Sequence, residues 1–157
     1  MPVYNHYYPD GNNQINTGES ARLLAVSGPT IPVAVGVTPA LADLLEKEGR
    51  APPAAIAGRA LIDTGASLCM IDESVIGALG IPPFGYQNVA GATGASNQAT
   101  YPASLSFPGT PIPNITFTDF IGGPLTQLGI LALIGRNVLA QFVLVYNGPG
   151  GHVSLSF

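Results

Sequence analysis

The sequence is short of charge. Of its 157 residues only 9% are Asp, Glu, Lys or Arg, against about a quarter in an ordinary soluble domain. From Ser74 to Phe157 only Asp119 and Arg136 carry a formal charge, with His152 as a third candidate. Such a surface is either solvated by hydroxyls, amides and backbone or covered by a partner. The 5 basic residues form no cluster, and the net charge is −4, which argues against a nucleic-acid partner. The single cysteine, Cys69, excludes an internal disulfide, and two histidines at the ends of the chain suggest neither a metal site nor a cofactor. Tryptophan is absent, so the usual aromatic platform of a carbohydrate-binding module is missing too. Mean hydropathy is +0.35, yet Gly, Pro, Ser, Thr and Asn interrupt every apolar stretch before the ~18 residues of a membrane span. The first twenty residues have neither a basic nor an apolar signal region. A cytoplasmic protein is the expectation.

What the chain has in plenty is turn formers, 20 Gly and 15 Pro. Together with short apolar runs they predict an all-β fold, and the length suits one domain with a proper core. Residues 1–27 show little apolar periodicity and are expected to form a flexible N-terminal arm, loosely ordered unless it docks and open to self-trimming. The domain is expected over 28–157. Strand-like runs fall at 30–37, 56–63, 67–71, 86–89, 98–107, 112–118, 129–134, 142–147 and 152–157. Within 38–55, Pro39 opens a short charged helix closed by Gly49, a solvated insertion in a hairpin. Asp72 reads as the N-cap of a second helical turn ended by Gly80.

One segment carries chemistry, Ala60-Leu-Ile-Asp-Thr-Gly-Ala-Ser-Leu-Cys-Met-Ile71. Asp63 stands at the end of an apolar strand, where a charge costs several kcal/mol unless it is paired, hydrogen-bonded or protonated. Asp63 could simply cap a turn through Thr64 and Gly65. The triplet Asp-Thr-Gly also arises by chance in roughly one such chain in twenty-five, so alone it is weak. Its context decides. Leu61-Ile62-Asp63-Thr64-Gly65-Ala66 is followed by the small-residue hairpin tip Val89-Ala-Gly-Ala-Thr-Gly-Ala95. Then come Leu133-Ile-Gly-Arg-Asn-Val-Leu139 and the strand Phe142-Val-Leu-Val-Tyr146.

In this order the features resemble the retropepsin-like, single-domain aspartic proteases. The resemblance implies a closed all-β barrel or sandwich with one short C-terminal helix. It also implies an aspartic endopeptidase whose half-site is completed by dimerisation. The implied catalytic group is Asp63 with Thr64 and Gly65. Ala66, Ser67, Gly91, Ala92, Thr93, Gly94 and Ile134 are the implied substrate-binding residues, with 91–94 forming a flap. Asp72 and Asp119 lack the following Thr/Ser-Gly, so one chain supplies only one carboxylate of the pair that this chemistry needs. A homodimer acting on a peptide or protein substrate, most active below neutral pH, is therefore expected. Because acids are so few, the fold is also expected to lose little stability in acid. Two departures stand out: Ser67 replaces the Asp that commonly pairs with the family's arginine, leaving Arg136 without its expected partner, and the flap tip has no aromatic residue. The competing reading is a catalytically silent retropepsin-like dimerisation or peptide-binding module. A β-sandwich adhesion module also fits the composition but leaves Asp63 unexplained.

Overall fold

A computed structural model gives the fold, and it describes residues 1–91 and 94–157. Ten strands dominate: β1 (Val3–Tyr7), β2 (Thr30–Gly36), β3 (Ile56–Ile62), β4 (Met70–Asp72), β5 (Gly85–Gly91), β6 (Gly94–Ser106), β7 (Ile115–Gly123), β8 (Ala132–Ile134), β9 (Val143–Asn147) and β10 (His152–Ser156). Four helices interrupt them, α1 (Thr17–Ser27), α2 (Pro39–Lys47), α3 (Glu73–Leu79) and α4 (Arg136–Leu139). Strands β2-β3-β8-β4-β7-β6 are joined in that order, and β6 returns to β2 through Ala34↔Ser106 and Gly36↔Ser104. The sheet is thus a closed barrel, with the β5–β6 hairpin extending from it. A separate three-stranded sheet, β1-β10-β9, lies outside the ring.

Local sequence accounts for most of these elements. On β2 the side chains of Ile31, Val33 and Val35 are buried, the period-two pattern of a strand with one face on a core. Leu105, Phe120, Ile71 and Ile134 meet them inside the barrel. Thr38 caps α2 by accepting the Leu41 N–H at 3.2 Å, Pro39 starts it, and none of its residues is buried. It is the solvated insertion that its charges suggested. Asp72 caps α3 and Gly80, at φ 63°, ends it in the left-handed region where glycine costs least.

Three expectations needed correction. The first 27 residues are not a free arm. Val3–Tyr7 pair residue by residue with Ser156–His152, and Asn16 caps α1 by accepting the Gly18 and Glu19 N–H groups. Leu24 is fully buried, while Tyr8 donates its hydroxyl to the Thr30 carbonyl and receives the Ser20 hydroxyl on its own carbonyl. The weak amphipathic pattern of α1 hides this docking, because the packing falls to small Ser20, to Leu24 and in part to Leu23. Second, β4 starts at Met70 rather than 67, since residues 66 and 67 give their carbonyls to another loop. Third, β7 runs on to Gly123, past the end expected at 118. It needs Gly122 and Gly123 because side chains there would strike the Tyr101 ring and Met70.

Candidate active site

The chain leaves β3 at Ile62, and Asp63 begins a loop on the barrel's edge. Strand β3 runs parallel to β8 in the register Leu61↔Leu133 and Ile62↔Ile134. The Asp63 N–H continues that ladder by donating to the Ile134 carbonyl at 2.9 Å. The loop then folds back on itself: the Ala66 N–H donates to the Asp63 carbonyl, and the Gly65 N–H donates to Asp63 Oδ1 at 2.8 Å. Asp63 is half-buried, whereas Thr64 and Gly65 are exposed. A Cβ on Gly65 would come within 3.0 Å of the Asp63 carboxylate, so the glycine keeps that oxygen open.

A second loop, 135–137, crosses the first and locks it. The Arg136 N–H donates to the Ala66 carbonyl at 2.9 Å, and the Asn137 N–H donates to that of Ser67 at 3.2 Å. Arg136 Nη1 donates to the Thr64 and Gly65 carbonyls, both at 2.8 Å, and Nη2 donates to Ser67 Oγ at 2.7 Å. The arginine that lost its acidic partner has taken up backbone carbonyls and the serine hydroxyl instead. Its planar fork suits that task better than a lysine would. Gly135 lies so close to the Leu68 carbonyl that any side chain would overlap it. Beneath the crossing, buried Cys69 accepts the Gly135 N–H at 3.2 Å and donates to Asn137 Oδ1 at 3.1 Å. Burial pushes its thiol up to about 11, against the smaller opposing pull of the Gly135 N–H. It is therefore a neutral strut and not a nucleophile.

The Asp63 carboxylate opens onto a groove of about 550 Å³ between this loop and the β5–β6 hairpin. Gly65, Ala66 and Ser67 line it from the loop side, Met70 and Leu133 from below, and Gln87 to Ala90 from the hairpin. Asp63 is the only acid among its described lining residues. A larger cavity of about 630 Å³ between α1 and the barrel includes Arg59 but no acid, so it lacks a candidate general base.

The expected site residues divide accordingly. Asp63, Gly65, Ala66 and Ser67 meet at the groove, and Thr64 faces a neighbouring apolar hollow with Leu139 and Leu144. Ile134 does not line the groove: it is 2% exposed and points into the barrel core, while its strand neighbour Leu133 faces the groove. A one-residue step along a strand reverses the face, and Ile134 serves through its carbonyl instead. Gly91 and Gly94 form the last described pair of the β5–β6 hairpin; Ala92 and Thr93 lie outside the described residues.

Sequence reasoning gave no site role to Cys69, Asn137, Gln87 or Asn88, although it placed Val89 and Ala90 in the small-residue hairpin tip. Only the Gly135-Arg-Asn137 triplet carried a signal, and that signal pointed to the arginine. Asp72 belongs to the scaffold. It is 2% exposed, and burial alone would raise its pKa, yet hydrogen bonds from Ser74 and Thr126 hold it well below the usual carboxylate range. Among the described residues no three His, Cys, Asp or Glu side chains gather in a metal-binding arrangement. No helix there is long and apolar enough to cross a membrane.

A carboxylate on a hydrogen-bonded loop at the foot of a groove in a closed β barrel is placed to act as a general acid or base. The family model for aspartyl proteases matches residues 54–137, which take in the Asp63 loop, the hairpin and the Arg136 crossing. The chain belongs to that family, and by that membership it is an aspartic endopeptidase. No curated protein matches the sequence. Among solved structures, the solution structure of the simian foamy virus (mac) protease is 12% identical, with a TM-score of 0.42, covering 69% of this chain and 91% of that one. The crystal structure of a retropepsin-like aspartic protease from Rickettsia conorii is 14% identical, with a TM-score of 0.44, covering 98% of this chain and 91% of that one.

Proposed function

We propose that the protein hydrolyses peptide bonds as a homodimer, with Asp63 from each of two copies holding one water between them. The observation that carries this reading is the groove with Asp63 as its sole described acid, beside a loop whose Thr64 and Gly65 are exposed in the single chain. Two carboxylates brought together share one proton, because like charges at contact distance do not both ionise. The ionised one takes a proton from the water as its oxygen attacks the scissile carbonyl carbon. The protonated one gives its proton to the carbonyl oxygen, forming a neutral tetrahedral diol. When the diol collapses, the C–N bond breaks and the proton taken from water passes to the leaving amine.

The other roles are those that the family resemblance implies. Thr64 braces the pair across the two-fold axis. Gly65 and Ala66 let the substrate backbone approach, and Ser67 contributes to the groove wall while holding Arg136. The β5–β6 hairpin that carries Gly91 and Gly94 closes over the bound peptide and excludes water. Apolar Met70, Val89 and Leu133 on the groove wall favour hydrophobic side chains around the cleaved bond. The same dyad chemistry places the optimum below neutral pH.

The decisive variant is Asp63→Asn. Among the described residues the Asp63 side chain accepts one hydrogen bond, from the Gly65 N–H, which an asparagine oxygen also accepts, so the fold and Tm are retained. Cleavage of a peptide library falls by roughly a thousandfold or more. Persistent cleavage by this variant refutes the proposal, and cleavage lost together with the fold refutes the assigned role.

A further inference from the structure

The cavity between α1 and the barrel is larger than the catalytic groove, about 630 against 550 Å³, and the chemistry above leaves it idle. Leu61 and Ile130 line it from the barrel, and the docked N-terminal segment supplies the opposite wall. Val26 of α1 and Leu128 stand 74% and 65% exposed among the residues that line it. Apolar side chains held open to water in this way suit a ligand that comes and goes.

Strand β3 ties this cavity to the catalytic groove. Ala60 and Ile62 are buried in the barrel, so alternation turns Arg59 and Leu61 to the opposite face, and Asp63 is the next position in that series. Leu61 lines the cavity, whereas its β8 partner Leu133 lines the groove. Neighbouring strands lie about 4.8 Å apart, and Leu61, Ile130 and Leu133 pack in one apolar cluster. The two spaces thus share a floor.

Arg59 is the one charge among the cavity's described lining residues. Its Nε donates to Thr30 Oγ1 at 3.1 Å, Nη2 donates to the same oxygen, and Cζ lies 5.9 Å from the centre of the Tyr8 ring. Nη1 donates to nothing among the described residues, and neither ion pair found there includes Arg59. Thr30 and Tyr8 therefore fix the guanidinium without neutralising it. A cation fixed beside apolar walls selects a carboxylate carried on a chain with apolar neighbours.

We infer that the cavity is a substrate subsite in which Arg59 selects an Asp or Glu side chain flanking the cleaved bond. This rests on the protease reading and names the class of peptide that the site prefers. Arg59 lies four positions from Asp63, a strand length of about 13 Å that an extended peptide covers in about four residues. The reach of the two side chains shortens that span, so the acid stands about two to four residues from the cleaved bond. By the symmetry of the proposed dimer one such subsite flanks each side of it.

Peptides built on one cleaved hydrophobic pair, with Asp, Asn, Glu, Gln or Lys at successive positions on either side, test this at about pH 5.5, where free Asp and Glu are ionised. At the preferred position kcat/KM for the acid exceeds that for its amide by about tenfold, mostly through KM, and the ratio shrinks in high salt. Arg59→Gln brings the ratio to about one and keeps kcat/KM on the amide peptide, while Arg59→Glu turns the selection toward Lys. Val26→Glu, on an exposed position, repels the acid and lowers the ratio without touching the Thr30 contacts. A wild type that cleaves acid and amide peptides alike, or a preference that survives Arg59→Gln, overturns the subsite and leaves the dyad intact. If Arg59→Gln fails to fold, Val26→Glu decides, and a preference it leaves unchanged overturns the subsite. A wild type that cleaves no peptide of the set overturns the protease reading, and the subsite with it.

Discussion

Replacing Asp72 separates the scaffold's carboxylate from the catalytic one. Asp72 joins two elements: Oδ1 accepts the Ser74 N–H at 2.9 Å and the Ser74 hydroxyl, and Oδ2 accepts the Leu125 and Thr126 N–H groups at 2.7 and 2.6 Å. The cap on α3 is worth about 1 kcal/mol. The clasp on 125–126 is charge-assisted, but Leu125 has a fallback in the Gly123 carbonyl and Thr126 is exposed to water, so about 2 kcal/mol suffices for it. Asp72→Ala therefore costs about 3 kcal/mol, and Asp72→Asn, which keeps one acceptor, about 2 kcal/mol. At about 2–4 °C per kcal/mol for a chain of this size, Tm falls by roughly 6–12 °C and 4–8 °C. The pH profile carries the sharper test. Because the native carboxyl is held below its unfolded value, its stabilisation is complete above about pH 4 and is lost only as pH falls further. Thermal unfolding by circular dichroism should give a wild-type to Asp72→Asn gap that is constant from pH 7 to about 4 and narrows below. A gap under about 2 °C, or one that closes between pH 7 and 5, refutes this account of the clasp.

Other outcomes follow from the same geometry. Burial, aided by the nearby Arg59 charge, pushes the His6 imidazole down to about 4, so the unfolded chain binds the extra proton between about pH 6.5 and 4. Tm should decline through that window, contrary to the expectation of uniform acid tolerance; an unchanged slope in His6→Gln would remove His6 as the cause. Arg136→Lys cannot bridge Thr64, Gly65 and Ser67 at once, so kcat/KM should fall between about tenfold and a hundredfold as the loop loosens, and unaltered kinetics would mean the loop is held elsewhere. Ser67→Asp should restore an exposed ion pair and raise Tm by about 1–4 °C, with no rise or a fall counting against the Arg136 placement. Leu24→Ala should cost about 2–5 kcal/mol in denaturant unfolding, whereas a loss below about 1 kcal/mol would restore the idea of a dispensable arm.

Much of the barrel was legible because its signals are local. Alternation on β2, the caps at Thr38 and Asp72 and the Leu-Ile-Asp-Thr-Gly run are each complete within a few residues. The N-terminal segment was opaque for the opposite reason. Its strand gains meaning only from β10, about 150 positions away, and its helix docks through two adjacent leucines, one of them half-buried, and a buried serine. Composition of that kind reads as loop until the partner is known.

The site was half legible on the same grounds. Asp63 announces itself because a lone acid ends an apolar strand, but what holds it is a crossing of two loops some seventy positions apart. No periodicity records that crossing. It leaves only residue types that look idle in sequence: a glycine that tolerates no side chain at 135, a cysteine with no partner at 69, and an arginine whose expected acid is missing. Each is explained by the other loop, Gly135 by the Leu68 carbonyl, Cys69 by Gly135 and Asn137, and Arg136 by Thr64 and Gly65. The scarcity of charge takes on the same meaning. An arginine that spends its donors on the Thr64 and Gly65 carbonyls and the Ser67 hydroxyl leaves the hollow it shares with Thr64, Leu139, Ala140 and Leu144 without an unpaired ion among the described residues, so the one acid that faces the neighbouring groove, Asp63, stands clear of it.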